Sequence, residues 1–341
     1  MSAQTLWFDG AGLTLESTTR PDAEFTAHIG QVRFGDRYRR CNVADQLARF
    51  YRPRFLSLRD SGTLVAAMVL DEQTLQWHGK RVEGFYRGLL SVAPEVARQG
   101  YGRTLAKQAM AWLDRRGDAR DIPVFSYGCI DAGNERAWQL LDSLGAYPIG
   151  TLTTQIKYRQ RSGVPILDVA VTDALTDAAA DAWRETNTEA ALQPSSVPRD
   201  HWITVEDPAG GVAACRHRLT SLDLTPQGGL TGFITERLML LFPPGRKRFN
   251  PGRFRYVSVS DVVATRDSAH LWRRLIPHLM ALHDTHFVAI TADTGSPDIQ
   301  RLVAAGILSD SGREVRVVGK WHGGQAPAEG EGHLAVAAPD L

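Results

Sequence analysis

The sequence predicts an α/β (α+β) protein made of two similar halves, on three observations. Apolar runs of strand length alternate with stretches whose apolar residues recur at helical spacing, with turn signals between them. A glycine pair, Gly100 and Gly102, stands where a strand gives way to a helix. The order of elements in the first half also returns at a spacing of about 160 residues, and an internal repeat decides architecture.

The elements follow in chain order. LTLEST (13–18) reads as a strand, and residues 22–50 hold helical stretches ending in VADQLARFY. FLSLRD (55–60), TLVAAMVLDEQTLQW (63–77) and EGFYRGLLSV (83–92) are strand-like runs parted by DSG and HGK. Leu105, Ala109, Trp112 and Leu113 then share one face of a helix. VFSYGCI (124–130) is a short apolar strand, and DAGN supplies a turn and a cap. Ala137, Leu140, Leu141 and Leu144 form a second helical stripe, with Gly145 placed to end that helix. PIGTLTTQIKY (148–158) closes the half as a strand.

RQRSGVP (159–165) is polar and carries Gly and Pro, as an inter-domain linker does. Beyond it, FRYVSVSDVV (254–263) answers the strand before the glycines, and Leu271, Leu275, Leu279 and Leu282 repeat the amphipathic helix. HFVAITADTGS (286–296) answers VFSYGCIDAGN, and IQRLVAAGIL (299–308) answers AWQLLDSLGAY. The second copy lacks the glycines, having TRDSAHL where the first has RQGYGRTL. The domains expected are therefore 1–158, a linker at 159–165, a second copy at 166–322, and a Gly/Ala/Pro/Glu-rich disordered tail at 323–341.

Composition narrows the function classes. With 341 residues, 43% hydrophobic and 23% charged, the chain can bury real cores, and two domains are expected. A net charge of +1 gives no overall pull toward nucleic acid or membranes. Three scattered cysteines (Cys41, Cys129, Cys215) fit a reducing, cytoplasmic compartment and no disulfide framework. The acidic N-terminus does not read as a secretory signal, and no apolar run is long enough for a span. Oligomeric state is not legible.

Strand, glycine loop and helix start form an anion-binding grammar. Unpaired N–H groups of a first helical turn, aided by the helix dipole, hold phosphate without a charged side chain. Gly100 and Gly102 let the backbone come close to a pyrophosphate, and Arg98 and Arg103 add charge at the rim. The stretch lacks the third glycine of a dinucleotide fingerprint and the GK[ST] of a Walker loop. A tight strand-to-helix turn with no ligand would use the same glycines.

VAPEVARQGYGRTL, between a strand and a long amphipathic helix, resembles the acetyl-CoA-binding signature of the GNAT superfamily of N-acetyltransferases. Val92, Pro94, Gly100 and Gly102 match that pattern, while its first Gln/Arg falls at Ala97, with Arg98 one residue later. Asn134, Ala137 and Gly145, with Tyr147, match the family's following helix. The resemblance covers residues 13–158 and, more weakly, 165–322. It implies two tandem GNAT-like domains, each a mixed, mostly antiparallel sheet with a splayed central strand pair flanked by helices. Such a pair is similar to mycothiol synthase and related small-molecule acyltransferases, where the second half shapes the substrate cleft.

The resemblance further implies an acyl-CoA-dependent N-acyltransferase, with acetyl-CoA or another acyl-CoA as donor and a small-molecule amine as acceptor. Pantetheine would run between Leu89–Val92 and 126–130, with Leu90, Ser91 and Val92 beside it, while Arg98, Gln99, Gly100, Tyr101, Gly102 and Arg103 hold pyrophosphate and Asn134 contributes from the next helix. A backbone N–H near Leu90–Val92 would stabilise the oxyanion. The amine attacks directly, so the enzyme supplies a base and an acid. Base candidates are Glu83, which leads because it precedes the strand carrying the oxyanion donor, then Asp71, Glu72 and Asp131. The family's acidic tyrosine falls at Leu141, which leaves Tyr127, Cys129 or water. A non-catalytic acyl-CoA-binding module is the rival reading. No metal is expected: His278, His283 and His286 lie at a helix C-terminus, where the dipole explains them. The basic run 243–256 reads as a solvated loop before it reads as a nucleic-acid site.

Overall fold

The computed structural model describes residues 4–9, 12–31, 33–34, 38–158, 171–196, 198, 200–224, 253–309, 311–323 and 333–336. The expected linker at 159–165 and most of the basic run lie outside the described residues. The first half runs β1 (Gln4–Phe8), β2 (Leu13–Thr18), α1 (Ala23–Gln31), β3 (Arg33–Phe34), β4 (Tyr38–Arg40), α2 (Val43–Leu47), β5 (Pro53–Asp60), β6 (Thr63–Trp77), β7 (Lys80–Val92), α3 (Tyr101–Asp118), β8 (Val124–Asp131), α4 (Glu135–Asp142) and β9 (Tyr147–Tyr158). The second runs β10 (Val171–Thr172), α5 (Asp177–Asn187), β11 (Leu192–Pro194), β12 (Trp202–Glu206), β13 (Val212–Asp223), β14 (Phe254–Ala264), α6 (Ala269–Leu282), β15 (Phe287–Asp293), α7 (Pro297–Ala304) and β16 (Arg313–His322).

The strands join one mixed, mostly antiparallel sheet whose main path is β1-β2-β5-β6-β7-β8-β16-β9-β15-β14-β13-β12-β10. Two similar halves lie along it. In the first, β7 and β8 are parallel from Glu83–Val124 to Tyr86–Tyr127; in the second, β14 and β15 are parallel from Val257–Val288 to Val259–Ile290. Each half also carries a bulge in the strand before its long helix. One leaves Leu89 at φ 57° opposite the register shift between Ala67 and Val69; the other leaves Asp261 at φ 50° opposite the shift between Ala214 and Arg216.

The structure departs from the expected layout in how the halves close. Strand β9, expected to finish the first half, pairs with β15 of the second, and β16 inserts between β8 and β9. The halves exchange their last strands. A strand's partner is a long-range choice that its own alternation cannot encode, and β16 was not anticipated from sequence at all. The exchanged strand is pinned from beneath. His322 Nε2 lies 2.7 Å from Ser126 Oγ on β8, and its Nδ1 lies 2.6 Å from Asp114 Oδ1 on α3. Ser126 is wholly buried and is not among the residues lining the cavity between the halves, so this serine, histidine and aspartate fasten strand to helix.

Side-chain alternation along β6 divides the first half into two cores. Ala66, Met68 and Leu70 face α3, whose Leu105, Ala106, Ala109, Met110 and Leu113 are buried against them. Ala67 and Val69 face α1 and α2 through Phe25, Ile29, Val43 and Leu47. Fully burying a leucine such as Leu105 or Leu113 contributes about 2 kcal/mol, so α3 is held by packing along its whole length.

The expected disordered tail (323–341) fails at residues 333–336. Ala191 N donates to His333 O at 2.9 Å, Ala335 N to Leu192 O at 2.9 Å, and Leu334 N to Asp293 Oδ2 at 2.7 Å. Leu334 is 4% exposed and packs where a Cβ on Gly150 would come within 2.5 Å of its side chain. A weakly hydrophobic stretch is ordered here because two apolar residues, Leu334 and Val336, find an existing core.

Candidate active site between the two halves

Below Tyr86 and Tyr127 the parallel pair β7/β8 ends, while both strands run on to Val92 and Asp131. The expected splay is therefore present. Gly128 permits the approach just before it opens, since a Cβ there would lie 3.0 Å from the Arg87 carbonyl. Past the bulge, Ala93 N donates to Val65 O at 2.9 Å and Ser91 stands opposite Ala67, so these residues turn their main-chain groups to β6. Leu90 and Val92 alternate with them and turn theirs to the gap that β8 has left. This is the position the sequence assigned to an oxyanion donor.

A cavity of about 760 Å³ fills the gap and continues into the second half. Of the residues nominated from sequence for the cofactor, Leu90, Ser91, Val92 and Asn134 line it, while Arg98, Gln99, Gly100, Tyr101, Gly102 and Arg103 are not among its lining residues. Ser91 Oγ also lies 3.1 Å from His28 Nε2, and Asn134 Oδ1 caps α4 by accepting from Ala137 N at 3.2 Å. Helix α4 is amphipathic, yet none of its residues is buried; Ala137 and Leu141 instead form part of the cavity wall. Its apolar face is half-covered: Leu141 also packs against the core beneath α3. Leu141, at the position of the family's acidic tyrosine, brings no proton donor to that wall.

The glycine loop does not itself line the cavity; it adjoins it through Val92, which Gly102 passes closely. Gly100 is the N-cap of α3 at φ 91°, a conformation side chains rarely adopt, and open space lies where its Cβ would project. Gly102 serves packing: a Cβ there would meet Val92 Cγ2 at 3.0 Å. Thr104 N makes the first helical bond, to Gly100 O at 3.0 Å, which leaves the N–H groups of Tyr101, Gly102 and Arg103 without acceptors inside the helix. Arg98, Gln99 and Arg103 are exposed around them. Tyr101 is held aside by a hydrogen bond from its hydroxyl to Asp60, which raises its pKa.

The two residues nominated for catalysis are not brought to this cavity. Glu83 lies six residues before the bulge, about 20 Å back along the strand, and its carboxylate is committed to Arg116 near the C-terminal end of α3. Tyr127 is buried beside Tyr86, and its hydroxyl donates to Gln73 Oε1 at 2.9 Å; burial and the surrounding negative groups hold its pKa well above 10. Both placements have one cause, since strand direction places residues in sequence but not on a face or at an end. Of the other carboxylates considered, Asp71 is buried and accepts from Arg52 N at 2.8 Å, and Glu72 shares Arg116. Asp131 does line the cavity, ion-paired with Arg313 and accepting from Gly133 N at 3.0 Å. Cys129 lines it too.

Several wall residues were missed from sequence. Thr154 and Ile156 come from exchanged β9, Tyr256 and Ser258 from β14, and Thr291 from β15. They line the gap because of the strand exchange, which no local pattern signals. Arg87 was also missed, although a lone charge inside GFYRGLL was a readable sign of a buried cation. Among the described residues no group of His, Cys, Asp and Glu could hold a metal ion, and no helix is long and apolar enough to cross a membrane.

Residues 44–146, which carry the bulge, the splay and the glycine loop, match the family model described as Acetyltransferase (GNAT) family. The chain carries a GNAT domain. The solved structure of Saccharomyces cerevisiae N-myristoyltransferase with bound myristoyl-CoA matches with a TM-score of 0.59 at 10% identity, over 99% of this chain and 92% of that one. A second structure of that enzyme, with myristoyl-CoA and inhibitors, gives 0.58 at 11% identity over 99% and 89%. A GCN5-related N-acetyltransferase from Anabaena variabilis aligns at 11% identity with a TM-score of 0.45, over 89% of this chain and 72% of that one. No curated protein sequence matches. At these identities the likeness is one of fold: a whole-chain, two-half GNAT architecture.

Proposed function

We propose that this GNAT-fold acyltransferase moves an acyl group from an acyl-CoA to the amine of a small molecule, both bound at once in the cavity between the halves. One observation carries the reading. The cavity is continuous from the splay of β7 and β8 to walls supplied by β9, β14 and β15, which supports a donor and an acceptor sharing one space. The residues fit the donor: three free N–H groups at the start of α3, open space above Gly100, and the half-buried Ala137 and Leu141 of α4 on the cavity wall. The name of the structural relative, an N-myristoyltransferase bound to myristoyl-CoA, supports acyl-CoA as the donor class.

In this reading Tyr101, Gly102 and Arg103 hold the pyrophosphate, and Leu90 and Val92 turn N–H groups to the thioester carbonyl. The donor supplies a thioester whose C–S bond breaks as the amide C–N bond forms; of the two protons the ammonium gives up, one ends on the thiol and one in solvent. Asp131, fixed by Arg313 and Gly133 N at the cavity wall, takes the place of Glu83 as proton acceptor, through water. The wall from the second half encloses the acceptor, which favours a small amine over a protein tail.

Thiol release from acetyl-CoA, butyryl-CoA and succinyl-CoA across a panel of amino acids, amino sugars and polyamines tests the proposal. Amine-dependent release is expected. Tight acyl-CoA binding with no release for any amine would instead establish a non-catalytic binding module.

A further inference from the structure

Arg87 lies on β7 two residues before the bulge and is 6% exposed. Its guanidinium has five N–H donors and no acceptor capacity. Nη2 donates to the Val318 carbonyl at 3.0 Å, opposite Pro148, which has no N–H of its own to give. Nη1 faces the Met110 thioether at 3.9 Å, and Nε has no partner. No carboxylate among the described residues forms an ion pair or hydrogen bond with it; the groups that act on its charge are Cys129 and Tyr86, types uncharged in their ordinary forms at neutral pH, and its own charge acts on His322. Burial pulls its pKa down to about 10, which leaves it a cation at neutral pH. A buried charge with one bond to a neutral carbonyl is costly, and Val318 alone would be served as well by a neutral donor.

Arg87 is among the residues that line the cavity, with Met110, Ala106, Gly128 and Cys129. It stands too deep to serve the cofactor's phosphates. Met110 lies nine residues beyond Tyr101, about 14 Å down the axis of α3, whereas the phosphate seat is at the helix start. It is close to the bulge, two to three residues or about 7–10 Å of strand away, where the proposed function puts the thioester. A carboxylate two or three methylenes beyond that thioester comes within reach of the guanidinium.

We infer that the donor is a dicarboxylic acyl-CoA of the succinyl or glutaryl class, whose terminal carboxylate pairs with Arg87. This rests on the acyl-CoA reading of the cavity and narrows its donor. The carboxylate would take Nη1 in place of its weak Met110 contact, as a charge-assisted hydrogen bond, and Val318 would keep its bond to Nη2, while Nε stays sealed from the cavity.

Calorimetric titration of the full chain with succinyl-CoA, butyryl-CoA and free CoA tests the inference, because butyryl matches succinyl in chain length and lacks its charge. The wild type is expected to bind succinyl-CoA about ten- to a hundredfold more tightly than butyryl-CoA, the range of a charge-assisted hydrogen bond. In Arg87→Met the two affinities should converge, and Arg87→Lys should keep part of the preference. Equal affinities in the wild type overturn the inference, and that comparison does not depend on any variant folding. A preference that survives in Arg87→Met overturns it as well. Binding of all three ligands without preference defeats this inference alone, whereas binding of none defeats the acyl-CoA reading beneath it.

Discussion

Gly100 and Gly102 sit two residues apart and are glycine for different reasons. At Gly100 the constraint is the backbone, φ 91° with open space beside it; at Gly102 it is the close pass of α3 over Val92. Gly100→Ala should therefore cost about 1–2 kcal/mol of stability through left-handed strain. Gly102→Ala should cost less, because the neighbour is the tip of one side chain and the helical backbone suits alanine. Urea denaturation of both variants checks the order. The glycine pair was legible in the sequence because a loop's need for glycine is local. The places of Glu83 and Tyr127 were not legible, since each depends on which end or face of a strand meets the cavity.

Among the elements, β16 connects the halves most directly, and His322 is its pin. Burial lowers the His322 pKa from 6.5 to about 4, despite the favourable bond to Asp114. The unfolded chain thus binds this proton more readily than the folded one. The stability His322 supplies is complete above pH 6.5 and is lost as pH falls from there toward 4, by about 3 kcal/mol at most. His322→Phe should be less stable at pH 7, since Ser126 and Asp114 lose their partner, and its stability should fall less between pH 6.5 and 4. Denaturation midpoints across that window test both statements. The extents of most strands were readable; β6 runs over Thr63–Trp77, the bounds its alternation predicts. The partners of β9 and β16 were not, because pairing is decided by the whole sheet.

Across the whole molecule, the repeat was visible in sequence and its consequence was not. The two halves resemble each other in parallel pair, bulge and helix, yet neither closes its own sheet. Residues 1–158 expressed alone would lack β16, expose the edge of β8 and leave β9 without β15. That fragment should be aggregation-prone alone and recover on co-expression with residues 159–341, as solubility and size-exclusion profiles would show. The exchange also sets β9, β14 and β15 against the splayed strands, which gives the GNAT domain a cavity with a second wall.

The central claim is that the start of α3, beside the cavity, seats the phosphates of an acyl-CoA. Calorimetric titration of acetyl-CoA into the wild type and Gly100→Glu tests it most directly. Saturable binding to the wild type is expected, with its loss in the variant, whose carboxylate would occupy the open space above the free N–H groups. No binding to the wild type, or unchanged affinity in a folded Gly100→Glu, would contradict the claim.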